Sequence, residues 1–512
     1  MAPRKLPNAS GEGSGEAVRG GPVYDPAMMY RKAAAGQATR TPVLEPGVAS
    51  GLPFRATPPF SKAMRTEMSA DQDAPTRVET SPGPPQPPVV IIGGGLAGLA
   101  CALEIADGGG LPLVLEGSDR IGGRVRTDEV EGFLLDRGFQ VLLEAYPEAR
   151  RLLDYRSLQL QRFYPGARIR VEGAFHGVAD PDREFLDALR SVTSPIGSLA
   201  DKLRVARLRR ELKRASPHEV LHGPSRSAGE ELDRLGFSSR MVDRFFRPFF
   251  GGILLDRELD VPARLLRFYF QMFSLAPASV PARGMEEIPR QLAHRLGEQR
   301  IQTGVPVRRI RDGGVELESG EVVEASAVVV ATEGPEATRL LGSRLPDPGS
   351  RGTTTLYFGL DAAPIREPML LLNGETGDDG PVNHMAFMDR VSPHYAPEGR
   401  SLAAVNVLDA QLPPELLNDP GMDPAPKLLP PVRDQLVSWF GSEAASWRLI
   451  RGYRIPHAHP LQTPESFDPP ERPSRVGPGV WVAGDHRDNA SINGAMASGR
   501  RAAMEILGEG LS

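Results

Sequence analysis

Three glycines stand between a short apolar stretch and a helical pattern. Residues 88–92 read Pro-Val-Val-Ile-Ile and predict a buried strand, and Gly93, Gly95 and Gly98 follow it as Gly-x-Gly-x-x-Gly. In such a unit the first glycine permits a tight turn and the second lets the backbone approach a pyrophosphate. The third lets the helix pack closely on the strand. The free N–H groups at the start of the helix would then face the phosphates of a dinucleotide.

A carboxylate follows at the spacing that a bound ribose needs. Residues 111–115 predict a second strand, and Glu116 stands at its end, 18 residues after Gly98. An acidic side chain about 20 residues beyond the glycine pattern accepts hydrogen bonds from ribose hydroxyls in dinucleotide-binding folds. The same carboxylate would repel a 2′-phosphate, so Glu116 disfavours NADP. These residues alone leave NAD and FAD both open.

A second glycine pair comes directly after this unit. Glu116 opens the pattern Glu-x(5)-Gly-Gly-Arg, which ends at Gly122, Gly123 and Arg124. Two adjacent glycines let the backbone curl beneath a pyrophosphate, and an arginine offers a planar fork of donors to phosphate oxygens. The combined pattern is much more specific than the first three glycines alone.

A further motif lies close to the C-terminus. Gly484 and Asp485 precede residues 491–503, which read Ser-Ile-Asn-Gly-Ala-Met-Ala-Ser-Gly-Arg-Arg-Ala-Ala. With this motif and the earlier ones, the sequence resembles the FAD-dependent amine oxidase superfamily. That group includes flavin-containing amine oxidases, protoporphyrinogen oxidases, phytoene desaturases and carotenoid isomerases. The resemblance covers roughly residues 88–510.

The resemblance implies a non-covalently bound FAD and a set of residues that hold it. Asp485 would bind the phosphate or ribityl region, and the backbone near Ile492 and Asn493 would face the N1–C2=O edge of the flavin. A helix N-terminus there would stabilise negative charge on the reduced flavin. The backbone of Val307 would lie against adenine. The predicted cofactor-binding residues are Gly93, Gly95, Leu96, Ala97, Gly98, Glu116, Gly123, Arg124, Val307, Gly484, Asp485, Ile492, Asn493 and Ala495.

The resemblance also implies an α/β fold with two domains. A Rossmann-type FAD-binding domain of the GR2-like kind would be assembled from residues 88–150, 278–335 and 450–510. An α+β substrate domain with an antiparallel sheet would be built from residues 151–277 and 336–449. Periodicity predicts helices over residues 183–216, 228–246, 262–275 and 494–507, strands over residues 302–310, 314–317, 321–331, 353–360, 369–372 and 402–408, and a proline-rich loop over about 411–431.

The chain departs from the amine oxidases of this group in ways that bear on the substrate. Those enzymes place a lysine near flavin N5 and an aromatic cage around the amine, whereas residues 214–426 here contain no lysine and residues 488–493 no tyrosine. Cys101 is the only cysteine, so covalent flavin attachment through a C-terminal cysteine and disulfides within the chain are excluded. We therefore expect simple amine oxidation to be disfavoured.

Aromatic residues concentrate in the expected substrate domain, within residues 245–250 and 268–273. They either line a long apolar pocket or form ordinary core. His457, His459 and His486 lie beside the C-terminal motif and are either an acid or base at the flavin or hydrogen-bonded structural histidines. We predict no metal site and leave the catalytic residues unassigned.

Composition limits the partners. The net charge is −5, which does not suggest nucleic acid binding. The apolar run from Ser81 to Leu103 is long enough to cross a membrane, but its prolines and glycines favour the buried strand and turn instead. We expect no transmembrane span and allow peripheral membrane contact. Residues 1–87 predict a disordered Pro/Gly-rich extension, either a plastid transit peptide or a tail of a cytoplasmic protein.

These observations predict an FAD-dependent oxidoreductase of the amine oxidase and phytoene desaturase group. It would transfer a hydride equivalent from a substrate C–H to flavin N5, with an apolar isoprenoid-like or tetrapyrrole-like small molecule as substrate. Oxygen or a quinone-like acceptor would reoxidise the flavin. Two alternatives stay open: a flavin-dependent polyene isomerase, and a flavoprotein subunit or assembly factor without turnover.

Overall fold

Strands and helices alternate through the part of the chain that the computed structural model describes, residues 87–179, 195–377 and 380–509. Numbered along the chain, its strands are β1 (Val89–Ile92), β2 (Pro112–Glu116), β3 (Thr127–Val130), β4 (Phe133–Asp136), β5 (Leu142–Leu143), β6 (Gln161–Arg162), β7 (Gly166–Val171), β8 (Ala174–Ala179), β9 (Ala278–Val280), β10 (Ile301–Thr303), β11 (Val307–Arg311), β12 (Gly314–Leu317), β13 (Val322–Glu324), β14 (Ala327–Val330), β15 (Ser350–Leu360), β16 (Leu370–Asn373), β17 (His384–Phe387), β18 (Ser401–Leu408), β19 (Arg448–Pro460), β20 (Arg475–Gly477) and β21 (Val480–Val482). Its α-helices are Leu96–Asp107, Pro147–Leu152, Leu199–Leu212, Pro217–Leu221, Ala228–Arg234, Ser239–Met241, Arg247–Leu254, Ala263–Leu275, Glu287–Leu296, Gly334–Leu341, Met388–Val391, Pro414–Asn418, Ala425–Phe440 and Ile492–Glu509. The chain therefore has a mixed α/β fold.

The strand before the glycine loop lies in the middle of a six-stranded sheet. The strand order is β10-β2-β1-β14-β21-β20, and only the edge pair β21 and β20 is antiparallel. Val89 and Ile91 pack into one core, while Val90 and Ile92 pack into a second core on the opposite face. Because successive side chains of a strand point to opposite faces, a strand covered on both sides must be apolar throughout. This explains the uninterrupted apolar run before Gly93.

A seven-stranded sheet forms the second layer of the fold, in the order β19-β15-β18-β17-β16-β7-β8. All its neighbouring strands are antiparallel except β16 and β7. The two faces of this sheet pack into different hydrophobic cores. Along β15, Leu356 and Phe358 pack with the helix Ala425–Phe440, whereas Tyr357 belongs to the core shared with the parallel sheet. We call the side that carries Tyr357 the inner face.

The C-terminal helix packs directly on the first helix. A Cβ added to Gly499 of Ile492–Glu509 would overlap the carbonyl oxygen of Ala97 in Leu96–Asp107. Only glycine allows backbones to approach this closely. The contact holds the C-terminal motif against the helix that begins at the glycine loop.

The predicted proline-rich loop over residues 411–431 is wrong in both halves, and its first half contains the short helix Pro414–Asn418. The helix Ala425–Phe440 begins inside this segment and contains Pro430 and Pro431. Its residues Leu428, Val432 and Leu436 are buried on one face. This burial outweighs the hydrogen bonds that the two prolines cannot donate.

Two predicted strands divide between sheets, and a third segment joins a sheet outside its expected domain. Residues 321–331 form β13 and β14, which belong to different sheets. Residues 302–310 form not one strand but β10 and β11, which belong to different sheets and are separated by Gly304, Val305 and Pro306. Residues 450–460, predicted for the cofactor domain, are part of β19 and pair with β15 in the seven-stranded sheet. The division of the chain into two domains stays a prediction.

Some predictions fall outside the described residues. The N-terminal extension before residue 87 and the predicted helical residues 183–194 are among them. Within the described ranges, no helix combines the length and apolar character that crossing a membrane requires.

Candidate cofactor site

Two glycines of the first motif are needed for packing. Gly93 has a φ of +109°, and a Cβ there would lie 2.8 Å from the carbonyl oxygen of Ala331. A Cβ at Gly98 would overlap the carbonyl oxygen of Gly93. The turn and the close approach of helix and strand therefore require glycine at both positions, for the reasons that the sequence pattern suggested.

The middle glycine has a different environment. A Cβ at Gly95 would have Gly123 Cα, 3.9 Å away, as its nearest contact, so Gly95 faces the second glycine pair across open space. Gly95 is the N-cap of Leu96–Asp107, and no side chain in the described part of the chain accepts a hydrogen bond from the first turn. The N–H groups of this turn, including those of Leu96 and Ala97, are thus available to an anion that enters between the two glycine segments.

Glu116 is fixed by the glycine loop itself. Its Oε2 accepts from the Gly94 N–H at 2.7 Å, and its Oε1 accepts from the Ser118 N–H at 2.9 Å and the Ser118 hydroxyl at 2.5 Å. A carboxylate offers about four acceptor positions. Three are used here, so one position on Oε2 remains for a ribose hydroxyl. The sequence did not predict that this carboxylate also holds the glycine loop at the end of β2 through its hydrogen bond with Gly94.

Arg124 and Asp485 meet although 361 residues separate them. An Nη2 atom of Arg124 lies 2.7 Å from Oδ1 of Asp485, and Nη1 donates to the Ala458 carbonyl at 2.6 Å. Burial opposes ionisation of Asp485, but the Arg124 guanidinium outweighs it and lowers the pKa of the carboxyl. Both groups are therefore charged at neutral pH, and a phosphate bound here would share the guanidinium with Asp485.

A cleft runs beside this ion pair. Glu333, Ser350 and His457 line it together with Arg124 and Asp485. The imidazole Nδ1 of His457 is 2.9 Å from the hydroxyl oxygen of Ser350. The cleft thus lies between the parallel sheet, which carries Glu333 and Asp485 at its edge, and strands β15 and β19 of the second sheet.

The C-terminal motif positions its residues through short-range hydrogen bonds. The Gly484 N–H donates to the Ser498 hydroxyl at 3.1 Å, and the Ala495 N–H donates to the Ser491 carbonyl at 3.0 Å. Ile492 opens the helix Ile492–Glu509. The side chain of Asn493 faces away from this turn, since its Oδ1 accepts from the Glu148 N–H at 3.0 Å. Any contact of Asn493 with a flavin would therefore be made by its backbone.

Val307 lies in the small sheet of β11, β12 and β13, close to the end of β2, where the Val305 N–H donates to the Glu116 carbonyl at 2.9 Å. The Val307 side chain is buried, and its carbonyl accepts a hydrogen bond of 2.8 Å from Arg339. Its predicted role against adenine stays a prediction.

The three candidate histidines differ from one another. His457 is hydrogen-bonded to Ser350, as above. Burial lowers the pKa of His459 and of His486 to about 4, so both imidazoles are neutral. His486 is 4% exposed, and neither of its ring nitrogens has a hydrogen-bond partner among the described residues. Both interpretations of His486, as an acid or base at the flavin and as a structural histidine, therefore stay predictions.

These features fit a bound dinucleotide. The helix N-terminus is uncapped, Glu116 retains one acceptor position, and Arg124 lies at the edge of a cleft. His486, next to Asp485, has a buried imidazole whose two ring nitrogens lack hydrogen-bond partners among the described residues. Buried polar atoms normally have such partners.

Sequence reasoning missed a polar and aromatic cluster on the inner face of the seven-stranded sheet. The Phe139 N–H donates to the Thr355 hydroxyl at 3.1 Å, and the ring of Phe139 packs edge-on against His384 with centroids 4.9 Å apart. Asn406 donates to the Thr355 hydroxyl at 3.2 Å. Burial lowers the pKa of His384 to about 3, so this imidazole is neutral as well. We call Phe139, Thr355, His384 and Asn406 the inner-face cluster.

The inner-face cluster is linked to the cofactor arginine through one residue. Gln140 follows Phe139 and donates to the carbonyl of Arg124 at 2.8 Å. No sequence pattern could identify the cluster, because its members come from four separate segments.

The aromatic segments are mostly core. Phe246 and Phe250 are fully buried, and Phe270 stacks on Phe250 with 9% exposure. Phe249 is only partly buried, between Phe245 and Phe273. The pocket interpretation thus stays open for Phe249 and is disfavoured for Phe270.

One group of side chains has metal-binding spacing. His218, His222 and Glu471 are exposed, and their ligand atoms lie within 4.8 Å of one another. The prediction that the chain has no metal site did not consider this group, because Glu471 is distant in sequence from the two histidines.

Comparison with known proteins agrees with this site. The family model of flavin containing amine oxidoreductases matches residues 96–507. The coproporphyrinogen III oxidase of Propionibacterium freudenreichii subsp. freudenreichii is 25% identical over 83% of this chain and 91% of its own length. The zeta-carotene-forming phytoene desaturase of Myxococcus xanthus is 28% identical over 49% of this chain and 54% of its own.

Solved structures share the fold. An oxidoreductase from Methanosarcina mazei superimposes with a TM-score of 0.63 and 16% identity, covering 82% of this chain and 99% of its own. Because the family model matches residues 96–507, the chain belongs to the flavin-containing amine oxidoreductase family and is an FAD-dependent oxidoreductase.

Proposed function

We propose that this protein removes a hydride equivalent from a C–H bond of an apolar, tetrapyrrole-like substrate. The observation that carries the proposal is the inner-face cluster, in which the partly buried ring of Phe139 packs against buried polar side chains and which is linked to Arg124 through Gln140. A substrate site built next to this cluster would combine aromatic surface with sparse, placed polar groups, which suits a large apolar body bearing a few polar substituents. The similarity to coproporphyrinogen III oxidase supports this substrate class.

We further propose the two-domain arrangement expected from the sequence. The parallel sheet would hold FAD along Gly95, Gly123 and Arg124, and the seven-stranded sheet would form the wall of the substrate site. Bound FAD would supply the hydride acceptor at flavin N5, and oxygen or a quinone-like compound would accept the electrons.

The residues of the chain contribute charge and orientation. The uncapped turn at Leu96 and the guanidinium of Arg124 would bind negative charge of the pyrophosphate. Asp485 keeps Arg124 at the edge of the cleft through the 2.7 Å ion pair. His384 is neutral and buried, so it can offer the substrate a hydrogen bond but no positive charge.

Amine oxidation is the less favoured reaction. The lysines of the described residues are Lys202, Lys213 and Lys427, and none belongs to either large sheet. Within the described residues, neither large sheet thus offers a lysine for the role near flavin N5 that the resemblance to amine oxidases implies.

The test is an anaerobic titration of the purified yellow protein. Coproporphyrinogen III, protoporphyrinogen IX, phytoene and putrescine are added separately, and the visible absorbance of the flavin is recorded. Bleaching by a porphyrinogen alone supports the proposal. Bleaching by phytoene alone, or by putrescine alone, contradicts the tetrapyrrole assignment. Conversion of a polyene by the reduced protein without net oxidation would instead identify an isomerase.

A protein that binds FAD and responds to no substrate would be a subunit or assembly factor. We retain plastid targeting by the N-terminal residues as a proposal, and import of a fluorescent fusion into isolated plastids tests it.

A further inference from the structure

A second cavity opens next to the cleft of the candidate cofactor site. Its volume is about 170 Å³, several times the roughly 30 Å³ that one water molecule occupies in the liquid. Ser350 lines both this cavity and the cleft beside Arg124. A molecule could therefore reach from one into the other along Ser350.

The wall of this cavity carries three carboxylates, and each has an arginine partner. Asp256 pairs with Arg351 at 3.0 Å. Asp409 pairs with Arg454 at 2.7 Å, and Glu258 pairs with Arg247 at 3.1 Å. The negative charges of the wall are thus compensated by the protein itself.

Arg257 is different, because its guanidinium is half-buried and lines the cavity without such a partner. Among the described residues it makes no ion pair and donates no side-chain hydrogen bond, and the charges of Arg247 and Glu258 act on it. Burial, and secondly the positive charge of Arg247, lower the pKa of Arg257, with Glu258 opposing them only in part. A half-buried cation with uncompensated charge is stabilised when an anion binds to it.

The fold holds Arg257 in this position firmly. The residues on either side of the loop, Leu255 and Leu259, both have a positive φ, 56° and 61°. Asp256 accepts hydrogen bonds from the N–H groups of Glu258 and Asp260 at 3.1 and 3.0 Å. Leucines adopt this backbone region only where surrounding contacts impose it. The loop therefore presents Arg257 to the cavity in a defined conformation.

We propose that this cavity, which adjoins the cleft beside Arg124, is a subsite for a carboxylate arm of the substrate, with Arg257 as its cation. The inference rests on the proposed function, and it narrows the substrate to an apolar molecule with at least one carboxylate arm. A propionate of a tetrapyrrole meets this description, whereas a hydrocarbon polyene has no group for the subsite. The planar fork of Arg257 would take both carboxylate oxygens, a geometry that lysine cannot reproduce.

The experiment compares binding of two porphyrin probes to the FAD-loaded full chain. Coproporphyrin III carries four carboxylates, and its tetramethyl ester has the same ring without the charges. Fluorescence titration in one dilute detergent gives Kd for wild type, Arg257→Gln, Arg257→Lys and the control Arg366→Gln, which changes an exposed arginine outside the cavity.

We expect Arg257→Gln to raise Kd for coproporphyrin III by about tenfold or more, since a hydrogen bond to a charged group is lost. The Kd of Arg257→Lys should lie between the values for Arg257→Gln and wild type, and the Kd of Arg366→Gln should equal the wild-type value. The ester should bind all four proteins equally. Thermal unfolding should not shift in Arg257→Gln, because the guanidinium has no partner to lose.

Equal Kd values of wild type and Arg257→Gln for coproporphyrin III would overturn the subsite, and so would equal weakening of acid and ester. Failure of the proposed function has a different signature. In that case no porphyrinogen bleaches the flavin, while the selective effect of Arg257 on the acid probe persists.

Discussion

Arg124 and Asp485 form an ion pair of 2.7 Å that joins the second glycine motif to the C-terminal motif. Neither partner is free to turn away, because Arg124 also donates to Ala458 and the Asp485 side chain is 7% exposed. The pair brings two distant sequence motifs to one edge of the cleft. Its loss should therefore affect both cofactor binding and stability.

Asp485→Asn should weaken FAD binding by about tenfold or more, because the half-buried guanidinium of Arg124 loses its counter-charge and its fixed position. Titrating apoprotein with FAD and following flavin fluorescence measures the Kd. Asp361→Asn is the matched control, since Asp361 is 96% exposed and its one ion pair, with Arg400, is 3.6 Å long. Unchanged FAD affinity in Asp485→Asn would contradict a role of the pair at the cofactor.

The local motifs could be predicted from sequence because each depends on a few adjacent backbone atoms. Gly93 and Gly98 are required by contacts within the same strand–turn–helix unit, so their spacing alone indicates the structure. Glu116 follows at the end of the next strand. The interpretation of these residues as a dinucleotide site agrees with the family to which the chain belongs.

The substrate side could not be predicted in the same way. Thr355, His384 and Asn406 meet through the order of strands in the seven-stranded sheet, and Phe139 reaches them from the segment that follows β4. No local pattern encodes either relationship. Arg257 could not be predicted either. It differs from the other arginines of the cavity in having no ion-pair partner among the described residues, and no sequence pattern shows this. The helix Ala425–Phe440 was missed for a related reason, since burial of one face outweighed the local preference of its prolines.

Gly499→Ala should destabilise the protein by about 1–3 kcal/mol, because the added Cβ overlaps the carbonyl of Ala97 and forces two packed helices apart. Gly508→Ala in the same helix is the control. A Cβ there meets nothing within 4 Å, so the change should be neutral or stabilise by up to about 1 kcal/mol. Chemical denaturation of both variants measures the difference, and equal unfolding free energies would refute the close helix contact.

Phe250→Ala should lower the unfolding free energy by about 3–5 kcal/mol, since this ring is fully buried. Phe249→Ala should lower the unfolding free energy by clearly less, because the ring of Phe249 is partly exposed between Phe245 and Phe273. If Phe249 lines a substrate surface, its variant will change ligand affinity more than melting temperature. A large drop in melting temperature with unaltered affinity would make Phe249 ordinary core.

Asp136 should make stability depend on pH in the acidic range. Burial raises the pKa of this carboxyl to about 6, although Thr127, Met285 and Tyr395 donate hydrogen bonds to it. The unfolded carboxyl has a pKa of about 3.9, so between these values the folded state binds more protons than the unfolded state. The contribution of Asp136 is therefore fully present below about pH 4 and is lost as pH rises through 6.

Asp136→Asn removes this titration, so wild type should lose unfolding free energy relative to the variant between pH 4 and pH 7. Urea denaturation at several pH values measures the gap. Asp233→Asn, at an exposed position on the helix Ala228–Arg234, serves as the control and should follow wild type throughout. A gap between wild type and Asp136→Asn that stays constant with pH would show that Asp136 is already ionised at pH 4, with its three donors outweighing burial.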